Sequence, residues 1–239
     1  MHMLYLEQTG STNEYASSRL KELSDRTVVY TYCQTAGRGR LDRSWVNLGS
    51  GNVFASIVLK PNGHGSESYP ALTHCLCLSI AKAMEEFGAK AAIKWPNDVL
   101  VNGRKAAGVL AQAVTENDRL LGIILGFGVN LSASPEDIEK IKAPATALNL
   151  ETGTAPDCDL FLNSVLQGFF ILYPLFEQEG FAALREEYMK RAGFINSTVT
   201  VTSFGSTLTG RATGISELGE LLLTDGDNKE HVLSIGDIS

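Results

Sequence analysis

The dipeptide Asn102-Gly103, set between two apolar runs, constrains the fold of this chain more than any other feature. Both residues accept the positive φ angles of a two-residue type I′ turn, and that turn joins adjacent antiparallel strands. Ile93 to Val101 and Arg104 to Leu110 are therefore predicted strands of one hairpin. A second turn at Glu116 to Asp118 leads into the apolar run Leu120 to Leu131, so three strands form a predicted meander.

Further elements flank the meander. Met3 to Gln8, Thr27 to Cys33 and Asn52 to Lys60 have the β-branched and apolar composition of strands. Ala71 to Phe87 is apolar over most of its circumference and ends at a glycine, which is typical of a buried helix. A shorter helix is predicted from Ser11, a capping residue, to about residue 23.

The last third of the chain changes character after Gly193. Residues 157–190 have a helical pattern with breaks predicted at Pro174 and Gly180. The remaining residues form short strands between glycine-rich turns, which predicts a small β-barrel. We therefore expect an α+β protein, with a mixed, mainly antiparallel sheet and packed helices in residues 1–192 and a barrel in residues 193–239.

The composition argues against several classes of function. The chain has 20 Lys and Arg against 27 Asp and Glu, a formal net charge of -7, so general attraction to nucleic acid or an anionic membrane is not expected. The start lacks the layout of a signal peptide, and no run approaches the ~20 apolar residues of a membrane span. We expect a cytoplasmic protein. The four cysteines form no CxxC pair and are expected to be buried free thiols.

A loop rich in arginine, the arginine loop, stands out in this acidic chain. Residues 34–45 contain Arg38, Arg40 and Arg43 together with Gly37 and Gly39. Guanidinium groups match carboxylate and phosphate oxygens, and glycine permits close backbone approach, so the loop is suited to wrapping an anion. A solvated surface turn is an equally simple interpretation of the loop taken alone.

Other polar clusters fall at predicted strand ends, where one sheet could bring them together: Ser11 to Asn13, Lys94 with Asn97 and Asp98, and Lys105. The chain has no GxSxG elbow, no plausible Cys-His pair and no Walker loop. A reaction that joins a carboxylate to the α-phosphate of ATP needs no protein nucleophile, only charge neutralisation and alignment. In such a site Asp98 or Asn97 is a candidate oxygen ligand for Mg²⁺.

Five motifs in their order and spacing make the chain resemble the biotin-protein ligases. They are Ser11-Thr12-Asn13, the loop Gln34 to Trp45, Lys94 to Asp98, Arg104 to Gly108, and Gly126 to Asn130. The resemblance implies the biotin-lipoyl ligase fold, which is similar to class II synthetases, with an SH3-like C-terminal barrel. It also implies a two-step reaction, in which biotin and MgATP give biotinyl-5′-AMP and a lysine of a biotin carboxyl carrier protein then receives the biotin.

The resemblance also assigns roles by position. Lys105, Arg38 and Arg40 match the catalytic positions, with Lys105 placed at the reacting carboxylate and phosphate oxygens. The positions that match biotin-binding residues are Ser11, Thr12, Asn13, Gln34, Gly37, Arg38, Gly39, Arg40, Lys105 and Gly108. Those that match nucleotide-binding residues are Arg40, Arg43, Trp45, Lys94, Asn97, Lys105 and Asn130, with Asp98 as the candidate magnesium ligand.

Two departures and two alternatives qualify this interpretation. The family often has glycine at the position of Asp42, so Asp42 is expected to pair with a neighbouring arginine. The chain begins at the first catalytic strand, without the DNA-binding domain of bifunctional members, so DNA binding is not expected; a homodimer is an open option. The alternatives are a lipoate or octanoate ligase of the same fold, and a non-catalytic adaptor.

Overall fold

The computed structural model describes residues 1–60 and 70–239, apart from the side chain of Asp42. A sheet of seven strands forms the larger part, in the spatial order β1-β2-β3-β7-β6-β5-β4. Its strands are β1 His2–Tyr5, β2 Thr27–Thr31, β3 Val53–Leu59, β4 Ala91–Lys94, β5 Asp98–Val101, β6 Arg104–Glu116 and β7 Arg119–Val129. Among these described strands only the β1–β2 pair is parallel, so the predicted mixed, mainly antiparallel sheet is confirmed.

Six α-helices accompany the sheet in the described residues. They are α1 Thr12–Ser18, α2 Leu72–Glu86, α3 Pro135–Glu139, α4 Leu148–Thr152, α5 Cys158–Glu179 and α6 Arg185–Met189, with 3₁₀ turns at Arg40–Asp42 and Phe181–Leu184. The second sheet contains β8 Thr198–Ser203, β9 Ser206–Ile215, β10 Leu221–Asp225, β11 Glu230–Leu233 and β12 Asp237–Ile238, in the order β11-β10-β9-β8-β12.

Strand alternation divides the large sheet into two apolar faces. Val28, Ile57 and Leu125 pack in the main core with α2 and α5. Their neighbours Val29, Val58 and Ile124 point the other way and pack against Ala16 and Leu20. Because α1 has only seven residues, it covers part of this second face and leaves the rest open.

The Asn102-Gly103 turn forms as predicted, with φ angles of 49° and 74°. The single strand predicted over residues 93–101 is wrong, because the chain turns at residues 95–97 and pairs Lys94 with Asp98 across β4 and β5. Pro96 cannot donate a ladder hydrogen bond. The neighbouring Trp95 is buried and donates through Nε1 to the carbonyl oxygen of Gly219.

The predicted break at Pro174 is also wrong, because α5 continues through this residue. A proline inside a helix costs roughly 3 kcal/mol through the lost hydrogen bond and the steric clash. Phe169, Tyr173 and Phe176 are buried on both sides of it, and their burial offsets this cost. The predicted break at Gly180 is confirmed.

Among the described residues, α5 is the one helix long and apolar enough to cross a membrane by length and composition. One face of it is buried against the core, including Phe161, Val165 and Phe169. This packing is that of a core helix in a globular domain. All four cysteines are free; Cys75 and Cys77 are buried as expected, whereas Cys33 and Cys158 are partly exposed.

The two sheets are joined through a buried histidine. His74 of α2 is 3% exposed, and its Nε2 lies 2.9 Å from the carbonyl oxygen of Gly219, which also accepts from Trp95. Gly219 has a φ of 88°, and a Cβ there would lie 2.7 Å from the His74 ring, so only glycine fits. Burial lowers the pKa of His74 to about 4.

We predict that this histidine makes the fold acid-sensitive. The folded protein keeps His74 neutral, whereas the unfolded chain binds a proton near pH 6.5. Stability is therefore fully present above pH 6.5 and falls as the pH drops towards 4, by about 3 kcal/mol for this residue. Urea unfolding of the parent and of His74→Gln, which keeps a donor but cannot titrate, should show a stability difference that shrinks over this range. Parallel stability curves would contradict the prediction.

Candidate active site

A cavity of about 370 Å³ opens on the face of the sheet that α1 leaves uncovered. The predicted site residues that line it are Ser11, Thr12, Asn13, Gln34, Arg38, Gly39, Arg40, Arg43, Trp45, Lys94, Asn97, Asp98, Lys105, Gly108 and Asn130. Gly37 is the exception: it is buried behind the wall, where a Cβ would lie 2.6 Å from Nε2 of Gln34. One sheet face therefore brings together motifs that are far apart in the sequence.

One end of the cavity is a buried network of uncharged polar groups. Ser11 caps α1 by accepting from the backbone N–H of Glu14, and the same turn presents Thr12 and Asn13 to the cavity. The backbone N–H of Thr12 donates to Oε1 of Gln34 at 2.9 Å. Ser56 of β3 lies 2.8 Å from the Thr12 hydroxyl and 2.6 Å from Oδ1 of Asn13.

Asn13 is held from the other side as well. Its Nδ2 donates to Oε1 of Gln112 at 2.7 Å and to the carbonyl oxygen of Leu110 at 3.3 Å. Thr12, Asn13 and Gln34 are each less than a tenth exposed, so their orientation is fixed by these bonds. This end of the cavity suits a small uncharged group that both donates and accepts hydrogen bonds.

Glycines provide the floor. A Cβ on Gly126 would lie 1.8 Å from Oδ1 of Asn13, and Cβ atoms on Gly108 and Gly128 would lie 2.9 and 2.8 Å from the Trp45 ring. The strand pairing runs without a register shift through Gly126 and Gly128, so these two mark close packing rather than a bulge. The site side chains thus rest directly on the backbone of β6 and β7.

Lys105 owes its position to a bulge in β6. The register with β5 shifts between Val99 and Leu100, and the backbone of Lys105 bonds instead to Pro144 and Thr146. Its Nζ lies 2.6 Å from Oδ1 of Asp98 and 5.2 Å from the centre of the Trp45 ring. The ammonium group is therefore fixed beside the cavity by an ion pair and a cation–π contact.

The arginine loop folds over the mouth of the cavity. The backbone N–H of Gly39 donates to the carbonyl oxygen of Arg43 at 2.6 Å, and the short turn between them places Leu41 at a φ of 53°. Arg40 donates to Asn97 at 3.2 Å and pairs with Asp237 at 3.0 Å. Arg43 pairs with the other oxygen of Asp237 at 2.9 Å.

Arg38, in contrast, is largely exposed and lies 3.9 Å from a carboxylate oxygen of Glu14. The pairing predicted for Asp42 concerns a side chain outside the described part of the chain. The remaining polar groups are anchored by the backbone: Asn97 donates to the carbonyl oxygen of Val109 at 2.7 Å, and Asn130 to that of Thr146 at 3.0 Å. Besides the exposed Arg38, the mouth thus holds four cations, Arg40, Arg43, Lys94 and Lys105, around Asp98 and Asp237.

Several site residues were not predicted. Ser56 and Gln112 complete the polar network, and Ser56 had a usable signal as the polar residue in the apolar run 53–59. Asp237 had no such signal in the sequence, because only the pairing of β12 with β8 brings it to the arginines. Ile141 and Ala143 to Ala145 form an apolar wall of the cavity near Leu100.

The sequence profile of the biotin/lipoate A/B protein ligase family matches residues 5–130, which is more than half of the chain. The chain belongs to this family. A second profile, the biotin protein ligase C-terminal domain, matches residues 194–239. The resemblance to biotin-protein ligases is thus confirmed.

Known relatives agree with this assignment. A biotin--[acetyl-CoA-carboxylase] ligase of Paracoccus denitrificans is 32% identical over 91% of this chain and 92% of its own length. The bifunctional ligase/repressor BirA of Bacillus subtilis is 30% identical over 98% of this chain and 72% of its own. The biotin protein ligase of Aquifex aeolicus, solved in complex with biotin and ATP, is 28% identical, covers 100% of this chain and 97% of its own, and superposes with a TM-score of 0.86.

We predict that Asp237 orders the arginine loop of this family member. In Asp237→Asn the two arginines lose their carboxylate partner, so the loop opens more often and the amides of Gly39 and Arg43 exchange faster, by roughly tenfold. Hydrogen exchange read by mass spectrometry over residues 38–44 measures this. Asp225→Asn, which breaks an ion pair elsewhere in the same sheet, is the matched control. Equal exchange in both variants would count against an ordering role for Asp237.

Proposed function

We propose that this chain is an ATP-dependent biotin-protein ligase, which activates biotin as biotinyl-5′-AMP and transfers it to a lysine of a biotin carboxyl carrier protein. The observation that carries the proposal is the division of one cavity into a buried neutral polar end and a cationic mouth. Biotin has the matching halves, an uncharged ureido head and a carboxylate tail. The relative of known structure that binds biotin and ATP supports this proposal.

The neutral end is the biotin subsite in this proposal. Thr12, Asn13 and Gln34 supply donors and acceptors for the ureido group, with Ser11 capping the turn that holds them. A buried ureido group requires such partners, because an unpaired buried polar group costs about 1–3 kcal/mol. Gly37, Gly39 and Gly108 contribute because they have no side chain that would crowd the neighbouring site residues. Arg38, Arg40 and Lys105 are assigned to the carboxylate of biotin.

The cationic mouth is the nucleotide subsite. Arg40, Arg43, Lys94 and Lys105 surround the space for the phosphates, and Asn97 and Asn130 add amide groups. Trp45 contributes its ring and a buried Nε1 that has no hydrogen-bond partner among the described residues. The apolar wall of Ile141 and Ala143 to Ala145 is suited to the adenine base.

In the first step a carboxylate oxygen of biotin attacks the α-phosphorus of ATP. The new O–P bond forms as the bond to the β-phosphate bridge breaks, and pyrophosphate leaves. Both reactants are anionic, so the main demand on the protein is to offset their repulsion and align them. Lys105 meets this demand, with Arg38 and Arg40 as further cations, because its ammonium group is already fixed beside the cavity.

Magnesium enters this proposal as part of the substrate MgATP. Among the described residues, no group of three or more His, Cys, Asp or Glu side chains could hold a metal ion. The carboxylate of Asp98 is paired with Lys105, so a role as magnesium ligand stays a prediction. A magnesium ion held mainly by phosphate oxygens needs only one or two carboxylates from the protein.

In the second step the amine of a carrier lysine attacks the carbonyl carbon of the mixed anhydride. An amide bond forms, AMP leaves and the amine loses a proton. We place the enzyme in the cytoplasm and assign catalysis to residues 1–192, with residues 193–239 as a second domain that supplies Asp237. A homodimer stays an open option. The expected lack of DNA and membrane binding stays a prediction, supported by the net charge of -7.

Biotin-dependent exchange of pyrophosphate into ATP tests the first step. We expect exchange with biotin and none with lipoate or octanoate. Calorimetry should show binding of biotin and no binding of the other two acids. Exchange that depends on lipoate would replace the proposal with a lipoate ligase. An absence of exchange with every acid would favour a non-catalytic adaptor.

We predict that Lys105→Ala slows adenylate formation roughly 100-fold while weakening biotin binding much less, because the charge matters most in the transition state. Single-turnover rates of adenylate formation and calorimetric titration with biotin separate the two effects. Lys21→Ala removes a surface ion pair with Glu116 and serves as the control for loss of a lysine. Equal losses in rate and affinity would argue against the proposed role.

Gly126→Ala should act on biotin affinity instead. The new Cβ would displace Asn13 and break its bonds to Ser56 and Gln112, so we expect biotin to bind about tenfold more weakly. Gly168→Ala is the matched control, because its Cβ finds ordinary van der Waals space in α5. Titration calorimetry measures both variants, and unchanged affinity in Gly126→Ala would remove Asn13 from the biotin subsite.

A further inference from the structure

The β8–β9 hairpin carries an aromatic side chain that the fold does not explain. Phe204 is 90% exposed, more than any other large apolar side chain in the described residues. It has a φ of 48°, followed by Gly205 at 79°, which is a turn that favours asparagine or glycine at the first position. An aromatic residue at positive φ is strained, and its exposure gains no burial energy in return.

This hairpin stands beside the mouth of the active site. Val201 and Thr202 of β8 pair with Ile238 and Asp237 of β12, and Asp237 holds the two arginines of the loop. Phe204 lies two residues beyond Thr202, roughly 7 Å further along the strand direction. The backbone of Phe204 is therefore about two residues along the strand from the partner of Asp237.

A second cleft, of about 290 Å³, lies between the turn at residues 95–98 and strands β8 and β12. It shares Arg43, Lys94, Asn97, Asp98 and Asp237 with the main cavity, while Thr202 and Ile238 form its other wall. An extended group that entered along β8 would thus arrive beside the cationic mouth rather than at the neutral end.

We propose that the tip of this hairpin, residues 203–206, is a docking contact for the carrier protein, with Phe204 as its apolar anchor. The inference rests on the proposed function, since a carrier domain is too large for the cavity and must rest on its rim while its lysine reaches inside. An aromatic residue framed by Ser203 and Ser206 has the composition of a binding hot spot with a polar rim. The cleft gives the lysine side chain a path from this rim to the mixed anhydride.

The test measures transfer of biotin to an unbiotinylated biotin carboxyl carrier domain by Phe204→Asn and Phe204→Tyr. Asparagine suits the turn, so the first variant keeps the fold while it removes the ring. We expect its KM for the carrier to rise roughly fivefold to tenfold, with little change for Phe204→Tyr. Ile171→Gln, which removes a side chain that is 75% exposed on α5, is the matched control and should leave KM unchanged.

Two further measurements separate docking from chemistry. Biotin-dependent pyrophosphate exchange and reaction of the adenylate with hydroxylamine, an acceptor too small to dock, should be equal in Phe204→Asn and the parent. An unchanged KM of Phe204→Asn for the carrier would overturn the inference. If that variant also lost dimer mass in sedimentation, the hairpin would be assigned to a second copy of the chain. Absence of exchange in the parent would instead overturn the proposed function itself.

Discussion

The site depends on a row of glycines on one face of the large sheet. Strand alternation places Gly108, Gly126 and Gly128 on the face that α1 covers only in part. A methyl group at any of the three would collide with Asn13 or Trp45. The polar network and the cationic mouth can therefore lie directly on the backbone, at a distance that side chains in these positions would prevent.

The local chemistry of the sequence predicted much of this arrangement. Asn102-Gly103 gave the hairpin because few other dipeptides accept two positive φ angles in succession. The predicted site residues converge because they lie on or next to strands of one sheet, and all of them except Gly37 line the cavity. The hairpin is encoded within one short segment, whereas the roles of the site residues were predicted from the resemblance to biotin-protein ligases.

The rest depends on contacts between distant segments. Pro174 was read as a helix end because the local cost of proline is large, but the buried side chains on either side of it outweigh that cost. The turn at residues 95–97 is fixed by Trp95 reaching Gly219, which is 124 residues away. Asp237 and its arginines are separated by nearly the whole chain, and no pattern within either segment indicates the other.

The ion pairs of Asp237 give the cationic mouth an anion of its own. Arg40 and Arg43 would otherwise repel each other and the nearby lysines, and they would attract any small anion in solution. With the carboxylate in place, inorganic phosphate or sulfate must compete against an internal group that is always present at high effective concentration. ATP differs from these small anions because its base and its three phosphates offer further groups for contact. The carboxylate of Asp237 would therefore weaken the binding of free phosphate or sulfate more than the binding of a nucleotide.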